Sequence, residues 1–313
     1  DRFARFLSLG DGFPGNEHRF WADGNCRSGG REYNGLLGSP CYQVPAATND
    51  HSRQLSCLSC HSMHNAPAND QLKPVATGNS ACTTCHPKFR ETAALKAHTH
   101  HAANSHGSQC YNCHMPHTSY ALFKAIRSHQ IDSPRVQPTG PDTRPNACNL
   151  CHLDKSLAWT SQLMQQWYGH EPAELDAEER ELAAGVLWML RGDAAQRAIA
   201  AWHTGWGPAQ EATGGSGWAA PLLARLLEDS YSAVRFISWQ KLKALPEFRE
   251  LKYNFVGPPA RRTAAMNNVL QDWQRTHTDV PDALPVTEDG QLDLKRLGDL
   301  WKRRDQRPVE IPE

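Results

Sequence analysis

Long apolar runs are missing from this chain of 313 residues. No stretch approaches the eighteen or so consecutive apolar residues that a membrane-spanning helix requires. An excess of charge of one sign is missing too, since 33 basic residues balance 33 acidic ones, and this argues against nucleic acid as a partner. The chain opens on Asp1 without a basic and apolar leader, so we expect a mature product. Leu, Ile and Val are scarce between residues 57 and 154, too scarce for an ordinary side-chain core.

Cysteine and histidine are plentiful in that same part of the chain. All ten cysteines and 13 of the 16 histidines precede residue 155. Eight of these cysteines fall into four copies of one pentapeptide, Cys-x-x-Cys-His: Cys57-Leu-Ser-Cys60-His61, Cys82-Thr-Thr-Cys85-His86, Cys110-Tyr-Asn-Cys113-His114 and Cys148-Asn-Leu-Cys151-His152. This is the attachment signature of c-type haem, whose vinyl groups the two thiols bind as thioethers.

Other chemistries use paired cysteines as well. Zinc takes thiolates as tetrahedral ligands, a dithiol can cycle between redox states, and an iron–sulfur cluster takes four cysteines. None of them needs a histidine directly after the second cysteine every time. The repeated histidine therefore favours four covalent haems, whose apolar porphyrins would also replace the missing aliphatic core.

Each motif histidine is the predicted proximal ligand of its iron, on one face of the haem. These ligands are His61, His86, His114 and His152. Nine further histidines before residue 155 are candidates for the opposite face, which makes ligation by two histidines the simplest expectation. The preferred distal ligands are His129, His64, His101 and His98, with His100 and His117 close behind. His98 and His101 are expected to share one face of a helix over residues 87–101.

Two cysteines, Cys26 and Cys41, lie outside the four motifs, and this even number allows them to pair with each other. Haem of this kind is attached outside the cytoplasm, and an oxidising compartment favours a disulfide between them. The alternative is a pair of buried free thiols. With the disulfide, residues 1–56 are predicted to form an irregular, clamped cover over haem.

The composition changes after residue 154. Periodic apolar residues predict helices at 155–168, 179–191, 219–228, 231–245 and 261–275, with Asp193 as the cap of another. Two of these segments align at an offset of 38 residues, near the HEAT period, although two unrelated amphipathic helices explain this equally well. We therefore predict a mainly α fold with much irregular structure: a tetrahaem domain over residues 1–154, an all-helical, HEAT-like domain over 155–278, and an extended tail over 279–313 in which residues 292–303 can form a helix.

Several of these segments together resemble the multihaem c-type cytochromes. The resemblance rests on Cys57-Leu-Ser-Cys60-His61-Ser-Met-His64, His98-Thr-His-His101, Cys110-Tyr-Asn-Cys113-His114-Met-Pro and Arg144-Pro-Asn-Ala-Cys148-Asn-Leu-Cys151-His152-Leu-Asp-Lys. It covers residues 57–155, with only a general likeness to helical repeats beyond. It implies closely packed haems that carry electrons in the periplasm or at the cell surface. Related enzymes mark their catalytic haem by a changed motif ligand or an extra crosslink, and all four motifs here are ordinary.

The leading expectation is an electron carrier that is not an enzyme, with redox proteins or other multihaem cytochromes as partners. The helical domain would dock such a partner or another copy of the chain. One alternative is an oxidoreductase in which one haem keeps an open site for a small nitrogen or sulfur compound. The other is a subunit of a conducting filament, in which a neighbouring copy supplies a distal histidine.

Overall fold

A computed structural model describes residues 19–50, 52–64, 67, 70–277 and 279–309 of the chain. It is mainly helical, with irregular segments between the helices. The first part contains α1 (Glu32–Gly38), α2 (Pro40–Ala47), α3 (Cys57–Cys60), α4 (Ser80–Thr83), α5 (Thr92–Thr99), α6 (Cys110–His114) and α7 (Ala147–Cys151). The second part contains α8 (Leu157–Tyr168), α9 (Ala177–Glu181), α10 (Ala184–Leu190), α11 (Ala194–His203), α12 (Gly207–Thr213), α13 (Ala220–Leu226), α14 (Ser232–Lys243), α15 (Pro259–Thr276) and α16 (Leu294–Lys302).

A small antiparallel hairpin lies in the first part, between β1 (Ser119–Ala121) and β2 (Lys124–Ile126). Its two turn residues, Leu122 and Phe123, both have left-handed backbones, with φ of 49° and 60°. Tight hairpin turns ordinarily place Asn or Gly there, because those residues tolerate positive φ. This hairpin therefore has no turn signal in the sequence, and the sequence analysis did not predict it.

The helices predicted after residue 154 are confirmed, with one interruption. The segment over residues 179–191 divides at Leu182 and Ala183 into α9 and α10. The backbone is extended there because Ala183 pairs with Ser156 in an isolated bridge. The predicted cap Asp193 is also confirmed, since its carboxylate accepts from the amides of Ala195 and Gln196 at 2.9 and 3.0 Å.

One apolar core runs through both parts of the described chain. Trp21, Tyr120 and Leu150 belong to the same buried cluster as the apolar faces of α10, α11, α13, α14 and α15. The packing is thus continuous across residue 154. The division into domains and the HEAT-like character of the helices remain predictions.

The described part of the C-terminal segment contains the helix considered for residues 292–303 and is not simply extended. This helix is α16, and its Leu297, Leu300 and Trp301 are buried in the common core. A further residue, Val309, is buried in the same cluster. The described part of the tail, residues 279–309, therefore packs on the chain's own helices.

Buried ion pairs tie the N-terminal segment to these helices. The Arg27 guanidinium binds the carboxylate of Asp193, and neither side chain is exposed to solvent (0% each). Arg27 also binds Asp142 at 2.6 Å. A second buried pair joins Arg197 of α11 to Asp229 at 2.6 Å. Since a buried charge is costly when unpaired, the two contacts of Arg27 fix the position of the N-terminal segment closely.

Over the described ranges, none of the helices combines the length and the apolar character that crossing a membrane would require.

Candidate haem-binding site

Each Cys-x-x-Cys-His motif lies on a helical turn. In three motifs the amide of the histidine donates to the carbonyl of the first cysteine: His61 to Cys57 at 2.9 Å, His86 to Cys82 at 3.0 Å and His152 to Cys148 at 2.9 Å. The third motif forms α6 itself. Residues three apart in a helical turn share a face, so this conformation sets the two thiols of a motif on one side.

The motifs are neighbours in space. The thiol of Cys82 hydrogen-bonds to Cys110, which lowers the pKa of Cys110 to about 7 and raises that of Cys82. Burial raises the pKa of Cys148 and Cys151 to about 12, and the proximity of Cys113 adds to both shifts. The second motif therefore touches the third, and the third lies beside the fourth. Groups attached to these cysteines would be close together.

Three of the motif histidines each face a second histidine, and the distance between ring centres is nearly the same in all three pairs. The ring centres are 6.2 Å apart for His61 and His129, 6.1 Å for His98 and His114, and 6.2 Å for His101 and His152. The angles between the ring planes are 26°, 2° and 28°, in the same order.

This separation is wider than that of rings in direct contact. Elsewhere in the chain, His100 stacks on Trp167 with centres 4.2 Å apart. Two metal–nitrogen bonds of about 2 Å each, with the distance from each nitrogen to its own ring centre added, come to roughly 6 Å. The three pairs thus have the spacing of imidazoles on opposite sides of one metal ion, and the residues present fit a haem iron.

Hydrogen bonds fix the orientation of four of these rings. Backbone carbonyls accept from Nδ1 of His61 (Asp70, 2.8 Å), His114 (Asp132, 2.8 Å), His101 (Thr99, 2.6 Å) and His129 (Arg127, 3.2 Å). With the proton on Nδ1, Nε2 keeps its lone pair. Metal-binding histidines are typically held by a bond of this kind.

Burial also keeps several of these imidazoles uncharged. It is the main cause that lowers the pKa of His98, His129 and His152. A neighbouring histidine lowers each of the three further, His114 in the case of His98. Neutral imidazole is the form that binds metals, so the environment favours coordination.

Residues 50–91 match the family model of the doubled CXXCH motif. This match supports a protein similar to the multihaem c-type cytochromes, in which such motifs hold covalently bound haem c. It covers the first two motifs only. No curated protein and no solved structure matches the chain.

The histidines predicted as distal ligands differ in whether they face a motif histidine in the structure. His129, His98 and His101 each face a motif histidine, whereas His64 is exposed and forms no such ring pair with a described residue. His86, the histidine of the second motif, is exposed as well. His18 and His51, also candidates, lie outside the described residues.

His98 and His101 do not share a helix face as predicted. Helix α5 ends at Thr99, and His100 has a left-handed backbone with φ of 56°. This turn separates the two rings, so that His98 pairs with the third motif and His101 with the fourth. His100 itself is drawn away by its stack on Trp167.

His117, the other secondary candidate, lies in an aromatic cluster away from the ring pairs. Its ring is 5.2 Å from Trp202 and 5.1 Å from Trp206, centre to centre. His203 completes the cluster at 6.0 Å. Burial lowers the pKa of His117 to about 2 and that of His203 to about 3, so both rings are neutral.

The predicted disulfide is not formed in the structure, where Cys26 and Cys41 are both free thiols. Cys26 is buried and donates to the carbonyl of Arg31 at 2.9 Å. Cys41 lies in α2, where proximity to Cys85 contributes to its raised pKa after burial. The predicted pairing thus has no support from the structure.

The residues that hold these histidine rings in place were not predicted from the sequence. The carbonyls of Asp70, Thr99 and Asp132 accept from motif or distal histidines, but carbonyls carry no sequence signal. Gly107 was missed too, although a glycine close to several histidines is a hint of close packing. A Cβ atom there would lie within 2.7 Å of three atoms of the His101 ring.

Proposed function

We propose that this chain carries four covalent c-type haems and transfers electrons through them. The observation that supports this most is the set of three histidine pairs, with ring centres 6.1–6.2 Å apart. Each pair joins a motif histidine to a histidine outside that motif, separated from it along the chain. A repeated spacing of this kind, beside a cysteine pair in each case, suits haem better than any other metal group.

The thioether-forming residues are Cys57, Cys60, Cys82, Cys85, Cys110, Cys113, Cys148 and Cys151. The axial ligand pairs are His61 with His129, His114 with His98, and His152 with His101. His86 is the proximal ligand of the remaining haem. His64 remains a candidate for its distal side.

The residues favour electron transfer over catalysis at three sites. Bound haem supplies one-electron chemistry, and the protein sets its axial ligation, spacing and surroundings. Two histidines fill both axial positions, which leaves a substrate no room at the iron and favours low reduction potentials relative to His/Met ligation. The contact between the second and third motifs brings their redox groups close together.

Covalent haem of this type is attached outside the cytoplasm, so we propose a periplasmic or extracellular protein. Its partners are other redox proteins, in keeping with a charge balance that selects no polyelectrolyte. The helical part is proposed to dock such a partner.

The first test is a haem count and an axial-ligand survey on the holoprotein. Mass spectrometry of the intact chain, with the absorbance of its pyridine haemochrome, is expected to give four haems per chain. Electron paramagnetic resonance (EPR) of the oxidised protein is expected to show low-spin iron at three or more sites. Fewer than four haems, or mostly high-spin iron, would contradict the proposal.

One observation favours a second candidate, an oxidoreductase with one open haem. His86 is exposed, and it forms no ring pair with another histidine in the described ranges. Carbon monoxide added to the reduced holoprotein discriminates between the two functions. Binding at one haem per chain, with turnover of nitrite, hydroxylamine or sulfite, favours the enzyme. No binding at any haem favours the carrier.

A further inference from the structure

Arg127 holds a half-buried guanidinium against the third haem motif. Its Nη1 donates to the carbonyls of Tyr111 and Met115 at 2.9 and 3.0 Å, and its Nη2 donates to Oδ1 of Asn112 at 2.9 Å. Its Cζ also lies 5.4 Å from the centre of the Tyr111 ring. The Arg127 side chain therefore binds α6 and the residue that follows it through three hydrogen bonds.

The guanidinium of Arg127 forms no salt bridge with an acidic residue over the ranges that the structure describes. The exposed Asp70 acts on it only at longer range. Burial lowers its pKa, but guanidinium stays protonated in proteins, so a full positive charge remains. A partly desolvated charge without a salt bridge is unusual, because removing it from water is costly. By contrast, the buried Arg27 and Arg197 each bind an aspartate.

Arg127 touches a second ligand site through its backbone. Its carbonyl accepts from Nδ1 of His129 at 3.2 Å. The side chain thus contacts the motif of His114, and the main chain orients the distal partner of His61. A side-chain substitution changes the first contact and leaves the second in place.

We propose that the Arg127 side chain raises the reduction potential of the haem held by Cys110, Cys113 and His114. The inference rests on the proposed function, since it requires a haem there. Reduction adds one electron to the iron and lowers the charge of the site by one unit. A nearby cation in a poorly solvated setting favours that change, because charges interact more strongly at low dielectric.

Three variants test the proposal by redox titration of the holoprotein, followed by EPR and visible absorbance. Arg127→Gln removes the charge and is expected to lower the potential of one haem. Arg127→Lys keeps the charge and is expected to restore most of that potential. Lys124→Gln removes an exposed cation in β2, three residues before Arg127, where solvent screens it, and is expected to leave all potentials unchanged.

The His98→Ala substitution identifies which haem has the changed potential. In that variant the EPR signal of the haem at the third motif is expected to become high-spin and so can be told apart from the others. If Arg127→Gln yields no holoprotein, Asn112→Asp places a carboxylate on the same guanidinium, and the same potential is expected to fall. Unchanged potentials in Arg127→Gln, or equal losses in the Gln and Lys variants, would overturn the proposal. Failure of the proposed function is distinct from this, because wild-type protein would then lack haem at the third motif.

Discussion

Gly107 packs directly against the ring of His101. A Cβ atom at residue 107 would lie 2.2 Å from Cδ2 and 2.4 Å from Cγ of that imidazole. Real side chains do not approach so closely, and the ring is held from its other side by the bond from Nδ1 to the Thr99 carbonyl. The absence of a side chain at Gly107 therefore gives His101 the position from which it faces His152.

Gly107→Ala is accordingly expected to displace His101 from its place opposite His152. The fourth haem would lose its distal ligand, and the reduced protein would bind carbon monoxide at one additional haem. Gly298→Ala is a matched control, because nothing lies within 4 Å of a Cβ at that position. Unchanged carbon monoxide binding in Gly107→Ala would count against His101 as an iron ligand.

His98 and His100 are two residues apart but differ in role, which gives a sharp test of the ligand pairs. His98→Ala is expected to convert one low-spin haem to a high-spin form, because the ring opposite His114 is lost. His100→Ala removes a ring that stacks on Trp167 and is expected to leave every haem low-spin. EPR of the oxidised variants checks this, and a high-spin signal in His100→Ala alone would reverse the assignment.

The buried pair of Arg27 and Asp193 is expected to be important for stability. Arg27→Leu leaves the fully buried Asp193 carboxylate without its cation, and such changes typically cost about 3–5 kcal/mol. Arg275→Ala, which breaks an exposed pair with Asp272, is expected to cost less than about 1 kcal/mol. Chemical unfolding of the two holoproteins measures both. Equal losses of unfolding free energy in the two variants would show that the buried pair stabilises the protein no more than the exposed pair does.

His203 is expected to make the protein sensitive to acid. Burial lowers its pKa to about 3, well below the ordinary histidine value of 6.5, near which the unfolded chain takes up the proton. Its contribution to stability is therefore complete above about pH 6.5 and is lost as the pH falls towards 3, by up to about 1.4 kcal/mol per unit. Lys241 and Arg127 on neighbouring elements disfavour the charged ring further.

His203→Leu is thus expected to flatten the fall in melting temperature between pH 7 and about pH 4.5, the range in which histidine titrates. His170→Leu, at a half-exposed position, serves as the control and is expected to follow the wild type. A fall as steep in His203→Leu as in the wild type would show that other groups govern acid unfolding.

Local chemistry made much of this protein predictable. The helices after residue 154 and the Asp193 cap follow from short-range spacing and capping preferences. The hairpin was missed, because Leu122 and Phe123 adopt turn conformations that their residue types rarely favour. The C-terminal helix was expected as a possibility over residues 292–303, but its packing on the chain's own helices was not predicted, because it depends on burial against distant residues, as Trp301 illustrates.

The sequence by itself determined the motif chemistry. Two thiols and a histidine within five residues need only one helical turn to be brought together, and the pattern is visible without any fold. Which histidine faces each motif was decided by tertiary structure alone. His98 and His101 are neighbours in the chain, yet a left-handed residue between them directs one to His114 and the other to His152. His129 lies opposite His61 because its segment follows the β1–β2 hairpin, whose turn has no signal in the sequence. Contacts of that kind depend on packing between distant residues.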